Sequence, residues 1–352
     1  LNFKLYLFCC VFCFSVNVSA TTLKFPNLPE PVTNNAVALV NTSEGDYLLT
    51  FMGLAKEKDY KAVHNKVWAL KIGERAWQPK TPVPSSLTLK GRLASVAVSI
   101  DEHVYLFGGY TVDRQHNEIS SPDVYRYNVL ADSYEKLAAM PVPVDDSVAL
   151  VYQQRYIYLV SGWHDAGNIN LVQVYDIQTD TWSQASPFLG VPVFGHSGGI
   201  AGNRMVICDG VAVVPQLLNR RKYNKVAQCL IGRIDQTNHL KIDWQLLSHP
   251  TNEARYRMAA TNFDDKIIML AGSTNPYNYN GIGYDGIPAP ATSKAWVFDV
   301  HKHYWRVRLG DGLDSMDHRG LLIYQNHLIT IGGMGIEQRV LDEVIARPFT
   351  NK

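Results

Sequence analysis

Arginine, aspartate and histidine recur at one kind of place in this chain: the few residues ahead of short apolar runs. Arg92 leads into one run, Asp145-Asp146 into another, His196 into a third, Arg255 with Arg257 into a fourth, and Asp317-His318-Arg319 into a fifth. Guanidinium groups suit bidentate binding of carboxylates. If these groups converge, they form a mouth rich in cations, fit for an acidic sugar or a peptide carboxylate. The alternative is that the arginines tie neighbouring elements together through backbone carbonyls. A second set lies in the long segment from Ser273 to Pro288, where Tyr277, Tyr279 and Tyr284 stand among three asparagines and Asp285. Aromatic faces beside amides suit a sugar or another polar ring, although such a loop can also fold on its own tyrosines. Trp163-His164-Asp165 offers a ring beside a His-Asp pair. Arg220-Arg221-Lys222 offers an anion patch or a solvated charge run.

Other chemistries are disfavoured. Gly195-His196-Ser197-Gly198-Gly199 fits G-x-S-x-G, but a nucleophile elbow needs a helix after the serine, and an apolar strand follows here. There is no phosphate loop, dinucleotide fingerprint or HExxH. His and Cys are not clustered at metal spacing, so neither a metal nor another cofactor is expected. Lys+Arg 33 against Asp+Glu 32 leaves no basic excess for a phosphate backbone, and nucleic acid is not an expected partner.

The elements that position these residues repeat. Arg92–Tyr110 reads as an alternating apolar strand, a turn, and a second strand ending in Gly108-Gly109. A loop, a strand near Val124-Tyr125, a turn and Tyr134 follow. The same order returns with second-strand glycines at Gly53, Gly109, Gly162, Gly210, Gly272 and Gly333, at gaps of 56, 53, 48, 62 and 61 residues. Four short strands per period of about 50 residues describe a propeller blade. The glycines end a strand where a side chain would collide. Trp77, Tyr134, Trp182, Trp244 and Trp305 pack between blades. The loops after the glycines open on the same face as the segments leading into the innermost strands. That face is the expected binding surface.

Six such units resemble the kelch-repeat β-propellers, over essentially Thr22 to Phe349. The fold expected is all-β: a six-bladed kelch-type propeller forming a single domain over residues 21–352. The sixth copy ends before an outer strand. Leu23-Lys24-Phe25 resembles outer-strand text, so the N-terminal strand is expected to complete the last blade and close the ring. The outline is similar to the bacterial sialic-acid mutarotase group of kelch proteins. That resemblance implies a Glu and an Arg after the blade-four glycine. Here Val211 follows Gly210, leaving Asp209, Arg220 and Arg221 as weak catalytic candidates. The galactose oxidases share the propeller, but their copper site of two Tyr, two His and a Tyr–Cys crosslink is not expected here.

Residues 1–20 read as a signal peptide: Lys4, an apolar run from Leu5 to Val16, then Val18-Ser19-Ala20. That implies a periplasmic or secreted protein with no stable membrane insertion after cleavage. Cys208 and Cys229 would remain, able to pair as a disulfide or to sit as two small buried hydrophobes. The function expected is binding of a saccharide or protein ligand on the loop face, without catalysis. Sugar mutarotation or epimerisation is the alternative. The expected ligand-contact set is Arg92, Trp163, His164, His196, Arg255, Arg257, Tyr277, Tyr279, Tyr284 and Arg319.

Overall fold

The structure, a computed structural model, describes residues 23–218, 221–308 and 314–349. The leader, Leu1–Ala20, and Arg220 lie outside the described residues. Antiparallel sheets follow one another along the chain. Blade one holds Ala36–Thr42, Gly45–Leu54, Val63–Lys71 and Gln78–Lys80. Blades two to five begin at Val96–Ile100, Val148–Tyr152, Ser197–Ala201 and Ala259–Phe263, and each has four strands paired in chain order. Blade six has three: Leu322–Tyr324, His327–Ile331 and Val344–Pro348.

Both faces of each sheet are apolar because each is covered by a neighbour. The buried side chains divide into cores that straddle successive blades. One joins blades one and two through Phe51, Val67, Leu106 and Tyr127. Another joins blades four and five through Val206, Ile231, Met269 and Trp296. The last joins blade one to blade six through Leu48, Leu70, Ile329 and Ile331, which closes the ring. Outer aromatics pack as the repeat implies, with Trp182 5.0 Å from Tyr175 and Trp305 4.7 Å from Phe298, centroid to centroid.

Closure differs in one detail from the expectation. Leu23–Pro31 lies across blades one and six, with Trp77 Nε1 donating to Pro26 O at 2.9 Å, but is not a strand. Leu28 N–H donates to Asp342 O at 2.8 Å, and Leu28 is buried in the core between blades one and six. Pro26, Pro29 and Pro31 lack the N–H groups that a fourth ladder requires. The segment therefore seals the blade by packing.

The repeat glycines all have positive φ, from 85° to 121°. A Cβ on Gly109 would stand 2.7 Å from Leu93 O, and one on Gly272 2.9 Å from Tyr256 O. The close approach lets the residue after the glycine bridge to the segment leading into its own blade: Leu93 pairs with Tyr110, Asp145 with Trp163, Phe194 with Val211, and Tyr256 with Ser273.

Candidate functional site

Those lead-in segments build a ring around the propeller axis. Asn34, Ala94, Asp146, Gly195, Arg257 and Asp317 occupy equivalent places in the six blades, and all six are left-handed, with φ between 48° and 68°. Their backbones link in sequence. Ala94 N–H donates to Asn34 O, Asp146 N–H to Ala94 O, Gly195 N–H to Asp146 O and Arg257 N–H to Gly195 O, at 2.7–3.2 Å. Asp317 completes the circle by side chain, accepting from Thr33 Oγ1 at 3.0 Å and from Asn34 Nδ2. A left-handed backbone is costly for any residue with a Cβ; here bonds on both sides hold it.

The ring aims its side chains at the axis. Arg257 donates from Nε and Nη2 to Asp146 Oδ2, at 3.2 and 2.5 Å, and its Nη1 is 3.5 Å from Asp317 Oδ1. Arg319 reaches Asp146 Oδ1 at 3.0 Å and Asp317 Oδ1 at 3.1 Å, and donates to Asn34 Oδ1 at 2.8 Å. Burial pushes the Asp146 carboxyl up, but Arg257 and Arg319 outweigh it and hold the group below its ordinary value. Two guanidinium groups and two carboxylates therefore compensate each other in a buried plug. The lead-in cations do reach the axis, but not as a free cationic mouth, and the expectation of an acid-binding surface is corrected accordingly.

The plug divides two cavities. Below it runs an axial channel of about 520 Å³ walled by the innermost strands, with His196, His318 and Arg319 on its wall. His196 Nε2 is 2.8 Å from Val160 O, and burial lowers its imidazole to about 4. Above the plug, on the loop face, lies a bowl of about 390 Å³ whose floor is Asp145, Asp146 and Arg257. Its walls come from blade loops folded as short hairpins. Tyr110–Val112 pairs with Glu118–Ser120. Strand alternation puts Tyr110 and Val112 on one face with their partners Ser120 and Glu118, and Tyr110 and Glu118 line the bowl. Asp113 fixes the turn of this hairpin by accepting from Gln115 N, Asn117 N and Asn117 Nδ2, each at 2.8 Å.

Blade three contributes Trp163, blade four Phe194 and Tyr223, and blade five Asn278, Tyr279, Asn280 and Tyr284. Contacts join the loops around the rim. His116 Nδ1 and Tyr279 OH are 3.0 Å apart, Asn168 Oδ1 accepts from Val213 N at 2.8 Å, and the rings of Tyr223 and Tyr284 stack at 3.6 Å. The Arg221 guanidinium lies 5.6 Å from the Trp163 ring centre.

Glu118 keeps contact with the water of the bowl, yet protein walls surround it. Desolvation by those walls lifts its carboxyl to about 7, against the opposing pull of Arg257. Asp145, fully buried and accepting from Ser120 Oγ at 2.7 Å, is pushed well above the usual carboxylate range by burial and then by Asp146.

Of the residues singled out from sequence, Trp163, Arg257, Tyr279 and Tyr284 line the bowl. Tyr277 lies beneath it, fully buried, 5.0 Å from Tyr256 and 5.1 Å from the Arg257 guanidinium. Arg319 and His196 face the channel. The other two arginines sit in blade seams, as the carbonyl-tie alternative has it. Arg92 donates to Ser121 Oγ and Pro84 O and pairs with Asp123 at 3.6 Å. Arg255 donates to Ala271 O and Lys294 O and lies 4.0 Å over Trp296. His164 bonds Pro143 O at 2.8 Å, outside the bowl lining. Asp209 is buried against His249 Nε2 at 2.7 Å and Arg255 N at 2.7 Å, also outside that lining. Asp145 and Asp146, read from sequence as lead-in carboxylates, and Asn278 and Asn280, read as loop amides, line the bowl too, whereas Tyr110, His116, Glu118, Phe194 and Tyr223 line it but are missing from the sequence-derived residues. Tyr110 and Trp163 each directly follow a repeat glycine, a signal that would have found Tyr110.

Cys208 and Cys229 face each other in register on adjacent strands, with Cα atoms 4.1 Å apart, and are bonded. Asp209 and His249 lie close to Cys229, but that sulfur is bound to Cys208 and offers no thiolate to a metal.

Residues 8–210 match the KLHDC2/KLHL20/DRC7 Kelch-repeats domain. The chain is 24% identical over 232 residues to Kelch domain-containing protein 3 of Rattus norvegicus, covering 61% of this chain and 56% of that protein. It is 29% identical over 112 residues to Kelch-like protein 15 of Gallus gallus, covering 32% of this chain and 22% of the relative. The chain thus spans little more than half the length of the first of these relatives. The solved structure of YjhT has a TM-score of 0.73 to it at 16% identity, covering 93% of this chain and 98% of that one. At that identity the likeness is one of fold.

Proposed function

The chain belongs to the KLHDC2/KLHL20/DRC7 Kelch-repeats family, and from that premise we propose that it is an exported, non-catalytic binding protein whose loop-face bowl takes a saccharide. One observation carries the reading. A concavity of about 390 Å³ combines ring faces with the amides of Asn278 and Asn280 above a charge-compensated floor. Its volume is in the range of small-molecule sites, about 300–1,000 Å³. Sugar rings present C–H faces to aromatic side chains and hydroxyls to amides. Export is supported by the leader-like residues 1–20 and by the Cys208–Cys229 bridge, which suits an oxidising compartment.

The test is a glycan array followed by calorimetric titration of the hits. Hits whose affinity falls at least tenfold in Trp163→Ala support the reading. Silence on the array, with capture of a protein ligand that Trp163→Ala abolishes, moves the bowl to protein recognition.

A second reading is favoured by Glu118. A carboxyl held at about 7 beside a ring-lined cavity suits proton transfer at a reducing sugar. NMR of sialic-acid anomer exchange tests it, and no acceleration over buffer ends it.

A further inference from the structure

The bowl is walled by six rings, those of Tyr110, Trp163, Phe194, Tyr223, Tyr279 and Tyr284. Its lining carries three carboxyl groups, on Glu118, Asp145 and Asp146, against the single guanidinium of Arg257. Asp146 is matched by Arg257 and Arg319. Asp145 is buried and hydrogen-bonded to Ser120. Glu118 is left as the carboxyl that faces the bowl's water without an ion-pair partner within 4 Å among the described residues. Tyr223 and Tyr284 each cover one face of the other; ring faces carry negative quadrupole density, and rings left beside a carboxylate make a site for an organic cation. The molecule already places a cation of its own at this edge: the exposed Arg221 guanidinium stands over the Trp163 ring.

From this geometry we propose that the group bound in the bowl carries a positively charged amine, held by the ring faces and by the Glu118 carboxylate. The proposal rests on the bowl being the binding site and narrows its ligand to the ammonium class. Two sources share this chemistry: an amino sugar and a small alkylammonium compound. Arg221 acts as a rim competitor that a bound ammonium displaces or repels.

The charge that does the holding depends on pH. Facing Glu118 are Arg257 and Asp146 of the floor, Arg221 of the blade-four hairpin, Asp145, and the phenols of Tyr110, Tyr279 and Tyr284. On its own hairpin, His116 lines the same bowl. Because burial raises the carboxyl to about 7, Glu118 is largely neutral at pH 6 and largely ionised at pH 8. Affinity for a permanent cation should therefore rise with pH across that window.

The experiment uses the full chain and four probes in calorimetric titration: choline with its neutral isostere 3,3-dimethylbutanol, and glucosamine with glucose. Each cation should bind about tenfold tighter than its neutral partner at pH 7.5. Choline should bind several-fold tighter at pH 8 than at pH 6. Glu118→Gln should remove both the preference and the pH dependence, and Arg221→Gln should strengthen choline binding. The sugar and choline arms separate the two sources. If glucose equals glucosamine, and Glu118→Gln changes nothing, the ammonium assignment is overturned while the saccharide reading survives. If none of the four probes binds but an array glycan without an amine does, the assignment likewise falls alone. If no probe and no glycan binds, both fall.

Discussion

Arg255 and Arg257 stand two residues apart, both buried, and do opposite work. Arg255 points into the seam beside blade five, where two backbone carbonyls and the Trp296 face hold it. Arg257 sits in the left-handed turn and points to the axis, where Asp146 and Asp317 hold it. The seam arginine gives the Ala271 carbonyl a donor and adds a second donor to the Lys294 carbonyl, which already accepts from Ala271 N–H at 3.0 Å. The axial arginine neutralises carboxylates and forms the floor of the bowl. The residue type does not set the role; the turn between them does.

Breaking each should separate stability from binding. Arg257→Met leaves two buried carboxylates short of a cation, and loss of one partner of a buried ion pair costs about 3–5 kcal/mol. Both unfolding free energy in urea and ligand affinity should fall. Arg255→Met leaves the carbonyls of Ala271 and Lys294 without that donor, at about 1–3 kcal/mol, and affinity in the bowl should stay within twofold. Equal losses of affinity in the two variants would erase the distinction between seam and axis.

The second test concerns the seam alone. Cys208 and Cys229 belong to the core between blades four and five, and their bond closes a loop across 21 positions that includes the Val211–Val214 and Lys222–Lys225 hairpin. Cys208→Ala with Cys229→Ala should cost about 3 kcal/mol, mostly by freeing the unfolded chain. Thermal melts with and without reductant should show the same shift in the native protein. The floor of the bowl, built by other blades, should keep its affinity for any ligand that does not touch Tyr223.

What was legible follows the same division. Blade order and the six-fold count could be read because a glycine at Gly109 or Gly272 answers a local steric demand that repeats in every blade. The facing of Cys208 and Cys229 was within reach because both flank one loop. The axial plug was only half visible. Asp146, Arg257 and Asp317 could be seen as charged lead-ins, but the Arg257–Asp146 pairing spans 111 residues of chain and depends on ring closure, which no local pattern encodes. Glu118 was invisible for a different reason. It lies on a charged, exposed hairpin, Val112–Glu118 register decides which way it faces, and only neighbouring blades turn that face into a bowl wall. The N-terminal closure was read with too much strand, because apolar spacing outweighed the three prolines.

The smallest effect expected concerns protons at the axis. His196 and His318 line the channel beneath the plug, and burial lowers their imidazoles to about 4 and about 3. A buried imidazole with a depressed value is favoured neutral in the folded state. Its contribution is fully present above the unfolded value near 6.5 and is lost as pH falls from there toward 4. Between pH 7 and 6 the loss is about 0.7 kcal/mol for each histidine. His196→Gln should therefore flatten the stability-versus-pH curve by about that amount, measured as urea midpoints at the two pH values. Histidine ring-proton NMR supplies the residue-level check, with both imidazoles staying neutral down to pH 5. An imidazole that titrates near 6.5 would mean that bulk water reaches it freely along the channel, whose lining includes the exposed Gln154, Gly202 and Asn262.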